Sequence, residues 1–172
     1  MILARWRALL VLIPATLSAG CASTQKTAET SCDLYLHASS KVNPDSRGQA
    51  SPILVGIYAL KSSAGFEASG FTALQDRART TLGDDLVSVE QVILLPGETR
   101  LIQKSADAAV RQFGVVAGYR ELNKTLWKTT FVPPNGEERG FFSFWPSAPE
   151  RVAIHIELGE GGLVVRTMNR TH

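Results

Sequence analysis

The sequence predicts an all-β domain, a two-sheet β-sandwich of about eight short strands with one inserted helix. Three observations carry this. Apolar and polar residues alternate in short runs bounded by Gly, Pro, Asn and Asp, which is the period of two that half-buried strands require. One stretch alone, around Phe71 to Leu82, spaces its apolar residues three and four apart as an amphipathic helix does. A parallel α/β sheet needs a helix at each crossover, so a single helix among many strands selects antiparallel strands joined by turns.

Asp33-Leu34-Tyr35-Leu36-His37 opens the series, with Leu34 and Leu36 on one face and Asp33, Tyr35 and His37 on the other. Ser39 to Ala50 collects Asn, Pro, Asp, Ser and Gly around a single apolar side chain, Val42, and reads as a long loop. Its Asn43-Pro44-Asp45 and Gly48 favour a fixed shape, and loops of this length in compact domains are functional or disordered. Ser51-Pro52-Ile53 to Leu60 is apolar on both faces, with Ile53, Val55 and Ile57 against Leu54, Tyr58 and Leu60, so this strand is predicted to be covered on both sides. Phe66 begins the cover, and Phe71, Leu74, Ala78 and Leu82 continue it as a helix of about three turns, with Ser69 as N-cap and Gly83 past its end.

Strand patterns then resume. Leu86 to Leu95 and Thr99 to Lys104 flank Pro96-Gly97 and read as a hairpin. Arg111 to Glu121 alternates Phe113, Val115, Ala117 and Tyr119 against Gly114, Val116, Gly118 and Arg120, and Leu126 to Val132 follows, ended by Pro133-Pro134-Asn135-Gly136. The aromatic segment Phe141-Phe142-Ser143-Phe144-Trp145 fits neither period. Arg151 to Leu158 points Val152, Ile154, Ile156 and Leu158 inward, and Gly159 to Gly162 turns it into Leu163 to Thr167. There is no internal repeat.

The N-terminus carries targeting information. Arg5 and Arg7 precede an apolar run, Ala8 to Leu17, too short to cross a bilayer as a helix, so residues 1–20 are predicted to be a signal peptide. Leu17-Ser18-Ala19-Gly20-Cys21 resembles the lipobox of bacterial lipoproteins, which implies cleavage before Cys21 and acylation of its thiol. Several acyl chains, at about 0.8 kcal/mol per buried methylene, would hold such a protein on the bilayer without spanning it. Ala22 in place of an Asp after the lipidated Cys implies sorting to the outer membrane, facing the periplasm. Residues 21–31 form a small, polar tether that sets the domain, 32–172, roughly 17 to 19 Å from the lipid.

Charge and chemistry narrow the function further. The 18 Lys and Arg against 16 Asp and Glu come into balance once Arg5 and Arg7 leave, and no basic run remains to serve as a nucleic-acid footprint. Acylation of Cys21 leaves Cys32 unpaired, as a buried thiol or, alternatively, half of an intermolecular disulfide. His37, His155 and His172 are scattered, without metal-ligand spacing. No nucleophile elbow, zinc-binding helix or phosphate loop occurs, and the paired carboxylates Asp84-Asp85 and Glu137-Glu138 sit in turn-rich stretches and point apart. The expectation is a protein that is not an enzyme.

Several of these residues, in order, carry a family resemblance. They are Asn43-Pro44-Asp45, Gly48, Ser51-Pro52, the strand ending Ile57-Tyr58-Ala59-Leu60-Lys61, then Phe66, Phe71 and Leu74, Leu82-Gly83-Asp84-Asp85-Leu86 and Pro96-Gly97, Gly114-Val115-Val116-Ala117-Gly118-Tyr119-Arg120 and Trp127-Lys128. Behind a lipobox, this set resembles the TssJ family, the outer-membrane lipoproteins of bacterial type VI secretion systems. The resemblance implies a transthyretin-like sandwich with an added helix, no cofactor beyond the lipid on Cys21, and no small-molecule substrate. It also implies a partner, the periplasmic C-terminal region of TssM, and through it TssL. The loop between the first two strands is implied to carry much of that contact. In this chain its residues Val42, Asn43, Pro44, Asp45, Ser46, Arg47, Gly48 and Gln49 are the expected partner-binding set, with Val42 as the apolar anchor. The alternative is a periplasm-facing lipoprotein whose sandwich binds glycan or peptidoglycan through the aromatics from Phe141 to Trp145.

Overall fold

A computed structural model of the chain describes residues 31–133, apart from 106 and 108, and residues 151–168. Among the described residues eight strands fall in two four-stranded sheets. One sheet has the order β4 (Thr99–Ser105), β1 (Ser31–Ala38), β7 (Arg151–Gly159), β8 (Gly162–Met168). The other has the order β3 (Leu86–Leu94), β2 (Ile53–Leu60), β5 (Gln112–Ala117), β6 (Lys128–Phe131). All neighbours run antiparallel except β1 and β7, which pair in parallel from Ser31↔Arg151 to Ala38↔Leu158. That pair needs no crossover helix of its own, because most of the domain lies between the two strands in sequence.

The predicted alternation is the alternation that packs. Leu34, Leu36, Ile154, Ile156 and Leu158 from the first sheet meet Ile53, Val55, Ile57, Phe113 and Val115 from the second in one core. β2 is buried on both faces as its sequence requires: Tyr58 and Leu60 turn the other way and pack with Phe66, Leu74, Ala78 and Leu82 of the helical insert. That insert has two pieces where one helix was expected, a short α1 (Ala64–Ala68) and then α2 (Phe71–Leu82). Its N-cap is Gly70, and Ser69 instead donates its hydroxyl to the Gly65 carbonyl at 2.6 Å. Gly83 ends α2 as expected.

Two close fits hold the insert down. The Phe66 ring lies so near β5 that a Cβ on Gly114 would come within 2.6 Å of it, so only glycine lets this ring reach the sheet. On β6, the Lys128 ammonium donates to the carbonyls of Glu67 (2.6 Å), Ser69 (2.7 Å) and Phe66 (3.2 Å), and lies 5.0 Å from the Trp127 ring centroid. Desolvation there pushes the Lys128 pKa down.

α2 is broken at Arg77, whose backbone is not helical (φ −134°, ψ 29°). Three successive carbonyls before the break accept from side chains. The Thr81 hydroxyl donates to Ala73 (3.2 Å), the Tyr58 hydroxyl to Leu74 (2.9 Å) and the Gln91 amide to Gln75 (3.2 Å).

The hairpin expected from Leu86 to Lys104 does not form: β3 and β4 lie in different sheets. The turn itself is present, with Glu98 N–H donating to Leu95 O (3.0 Å) and Gly97 at φ 80°. With Pro96 before it, this is a type II turn, whose twist splays the flanking strands rather than pairing them. The chain therefore crosses from one sheet to the other, and the turn is tied to β1 by Ala38 N–H to Glu98 O and Gly97 N–H to Ala38 O, both 2.9 Å. The β7–β8 hairpin forms as expected, closing at Gly159↔Gly162.

Candidate partner-binding surface

The loop joining β1 to β2, residues 39–52, sits at one end of the sandwich and is built from the inside out. Val42 is fully buried in the inter-sheet core, held by its N–H to Ser39 O (3.0 Å) and by Ser51 N–H to Val42 O (3.1 Å). This corrects the expectation of an apolar anchor offered to a partner. The lone hydrophobe of a polar loop plugs the open end of the sandwich, where burial stabilises it most. Asn43 is likewise inside, 4% exposed, with backbone in the left-handed region (φ 49°) that Asn tolerates better than most residues. Its amide donates to Pro52 O (2.9 Å) and its carbonyl oxygen accepts from Arg120 N–H (2.8 Å), so its side chain is occupied in bracing two loops together.

Beyond Asn43 the chain turns on Asp45. One carboxylate oxygen accepts from Arg47 N–H (2.8 Å) and Gln49 N–H (2.9 Å), while the main chain closes through Asp45 N–H to Gln49 O (2.8 Å) and Gly48 N–H to Asp45 O (2.9 Å). The backbone N–H of Gln49, then that of Arg47, holds the Asp45 carboxyl below the ordinary carboxylate range, with the Arg120 charge adding to the effect. Pro44 and Asp45 are half-buried, and Ser46, Arg47, Gly48 and Gln49 are exposed. Of the eight residues expected to bind, the last four form the open tip, Pro44 and Asp45 its shoulder, and Val42 and Asn43 its root.

Three further loops meet at this end, each tied to the first or to one another. The 95–98 turn reaches Ser39 O through Gly97 N–H (3.3 Å), Ser39 N–H donates to Leu158 O beside the β7–β8 turn (2.9 Å), and Leu163 N–H donates to Leu126 O (2.9 Å). They bring Leu95 and Leu126, 58% and 56% exposed, to the same end, together with exposed Lys41 and Arg120. The sequence reading missed these two leucines, because the alternation in each run marks an apolar residue as core unless the strand is known to have ended. Ser31, where the tether joins the domain, lies at the opposite end of β1.

The remaining candidates fall elsewhere. His37 Nδ1 is 2.8 Å from Thr99 Oγ1, and His155 stacks on Tyr35 at 5.0 Å between centroids, both on the outer face of the first sheet. Among the described residues no group of His, Cys, Asp and Glu could hold a metal ion. Cys32 is a buried free thiol whose pKa is pushed up to about 11, first by burial and then by the Asp33 charge, as befits an inert structural cysteine. Asp84 and Asp85 lie in a short 3-10 turn. Cys21, Glu137-Glu138, the Phe141 to Trp145 segment and His172 are outside the described residues. No described helix is long and apolar enough to cross a membrane.

With this geometry in hand, comparison with known proteins is decisive. The model of the type VI secretion lipoprotein family (VasD, EvfM, TssJ) matches residues 30–160. The chain belongs to that family. The crystal structure of the type VI lipoprotein TssJ1 from Pseudomonas aeruginosa is similar at 31% identity, covering 83% of this chain and 99% of that one, with a TM-score of 0.73. Lip of Serratia marcescens, a membrane-bound component of the type VI secretion system, is similar at 28% identity over 83% of this chain and 99% of its own, TM-score 0.71. A chain from the structure of the TssM C-terminal domain of EAEC shares the fold at 21% identity, covering 78% of this chain and 99% of that one, TM-score 0.58. No curated protein matches the sequence. Family membership accounts for the two-sheet, transthyretin-like architecture and for the helical insert on β2.

Proposed function

We propose that this type VI secretion lipoprotein is acylated on Cys21, sits in the outer membrane facing the periplasm, and anchors the trans-envelope membrane complex. It does so by binding the periplasmic C-terminal region of TssM, and through TssM it is joined to TssL. It is a structural component and not an enzyme. The observation that carries the reading is polarity. The tether enters at Ser31 and the braced 39–52 loop leaves the other end of β1, about 26 Å away along an eight-residue strand. A lipid at one end and a rigid recognition loop at the other is what a protein needs if it is rooted in one membrane and must grip a partner rooted in another. The fixed loop also loses little conformational entropy when it binds.

Support comes from the family match and from the occurrence of this fold in a structure described by its TssM C-terminal domain. The contact surface that fits best is the exposed tip, Ser46, Arg47, Gly48 and Gln49, flanked by Leu95 and Leu126. These two leucines take the anchoring role that buried Val42 cannot fill.

The test is a titration of the full chain, matured in cells and extracted in detergent, against the TssM periplasmic C-terminal region. Saturable binding that weakens at least about ten-fold when residues 45–49 are replaced by Gly and Ser is expected. No saturation overturns the partner, and unchanged affinity in the replacement overturns the loop. Membrane fractionation of Cys21→Ser tests the anchor: release into the periplasmic fraction is expected, and retention with the membrane overturns it.

A further inference from the structure

The two sheets end in unequal edges. On the β6/β8 side, β6 is four residues long, and Leu126 bridges to Gly162 of β8, so that side is nearly closed. On the other side β3 and β4 are both outer strands. β4 carries Arg100 and Lys104, charges of the kind that keep an edge from recruiting another strand. β3 has a single charge, Glu90, which faces inward opposite Ile57. In nine residues, Leu-Val-Ser-Val-Glu-Gln-Val-Ile-Leu, it has no Lys, Arg or Pro, and Glu90 is neutralised by Lys104 of the other sheet at 2.5 Å. The register shift opposite Ala59 and Leu60 bends only its Leu86 end.

Beside this edge lies a groove of about 330 Å³ between the broken helix α2 and β3, lined by Gln75, Arg77, Arg79, Val89 and Gln91 among others. The interior of the groove is already satisfied: the Gln91 amide is spent on Gln75 O. Its rim is not. Arg77 and Arg79 are exposed and neither forms an ion pair among the described residues, while Asp76 is the one acid in the lining. Val89, Gln91 and Ile93 share the outer face of the sheet, opposite Tyr58, Gly56 and Leu54. Past the groove Ile93 stands 60% exposed. A long edge with no strand beside it among the described residues, a groove alongside it, a positive rim and an exposed apolar residue in line are the parts of a strand-addition site.

We infer that the free edge of β3 receives an extended, acidic segment of a partner protein. The main chain of that segment continues the second sheet, its carboxylates meet Arg77 and Arg79, and an apolar side chain covers Ile93. Main-chain hydrogen bonds would supply affinity, and the two arginines would supply the choice of an acidic over a basic strand. The surface is separate from the 39–52 loop, and the inference stands whether or not that loop binds TssM.

The probe is a synthetic peptide matching β3 in length that carries on one face alternate glutamates with a valine at either end and on the other face threonine, with a counterpart that has lysine for each glutamate, added to the detergent-extracted full chain. Binding is followed by fluorescence anisotropy and mapped by hydrogen exchange. The acidic peptide is expected to bind saturably, to slow exchange in Leu86–Leu94, and to weaken at least about ten-fold in Arg77→Glu/Arg79→Glu, with unchanged circular dichroism. The lysine peptide is expected to prefer the reversed variant. Equal binding of both peptides, protection outside β3, no saturation, or self-association of the protein through β3 without peptide would each overturn the inference. Ile93→Lys, which places a charge on the outer face of the edge strand without touching the helix, is expected to reduce binding of the apolar side chain and leave the fold intact.

Discussion

The two connections that flank β2 are held in place by opposite physics. The insert that follows it, with α1 and α2, is fastened by apolar burial: Phe66, Leu74, Ala78 and Leu82 close over Tyr58, Leu60 and Val116. The 39–52 loop that precedes it contributes one apolar side chain, Val42, and is otherwise fixed by the hydrogen bonds that the Asn43 and Asp45 side chains make with main-chain groups. The difference teaches what each is for. Burial spends the side chains of the insert on the sheet, whereas polar bracing fixes the loop through its root and leaves the side chains at its tip free to meet something else.

The largest expected effect tests the apolar half of that contrast. Phe66 is fully buried against Gly114 and Tyr58, and Phe66→Ala removes its whole ring from a site where the surrounding sheet cannot collapse. A loss of about 3 to 5 kcal/mol is expected in urea unfolding, with the insert exchanging its amides faster than the sandwich core. A loss under about 1 kcal/mol would mean that the insert is not held by this ring.

Asn43 tests the polar half and has a smaller effect. Asn43→Ala orphans Pro52 O and Arg120 N–H and forces alanine into a left-handed backbone, for an expected loss of about 1 to 3 kcal/mol. Asn43→Gly separates the two causes, since glycine accepts φ 49° and forfeits only the bonds. If the glycine variant matches the wild type, the backbone conformation and not the bracing fixes the loop. Urea titration of both variants decides it.

The same contrast governs what could be read in advance. The strands showed their inward faces in sequence, because Leu34 with Leu36 and Ile154 with Ile156 obey a period that burial imposes. The α2 helix was equally plain from Leu74, Ala78 and Leu82, though its break at Arg77 was not, since the donors that satisfy it, Tyr58 and Gln91, come from two different strands. The loop was recognisable as a loop and as a candidate contact, yet its interior was misjudged. Asn43 finds its partner Arg120 77 positions away, and a single valine among polar residues carries no period to say which way it points. The separation of β3 from β4 was hidden for a related reason, because it depends on the type II geometry of Pro96-Gly97 and its ties to Ala38. Periodic burial is local information, and hydrogen-bonded bracing between distant segments is not.

The smallest effect sharpens the comparison through pH. Asp45 holds the loop tip with a charged acceptor, and its folded pKa lies below the ordinary value. A depressed carboxyl contributes stability that is present above its unfolded pKa, near 4, and is lost as pH falls through the folded pKa. Asp45→Asn keeps an oxygen to accept from Arg47 and Gln49 but removes the charge, so the variant is expected to be slightly less stable than the wild type at neutral pH. The gap should close as pH drops below about 4. The site is open to solvent, so salt should shrink the gap as well. The deficit of Phe66→Ala, being apolar in origin, is expected to stay constant across the same acid range. A pH-independent gap for Asp45→Asn would mean that the tip is held by the geometry of its turn and not by the carboxylate, and the two connections would then differ less than their side chains suggest.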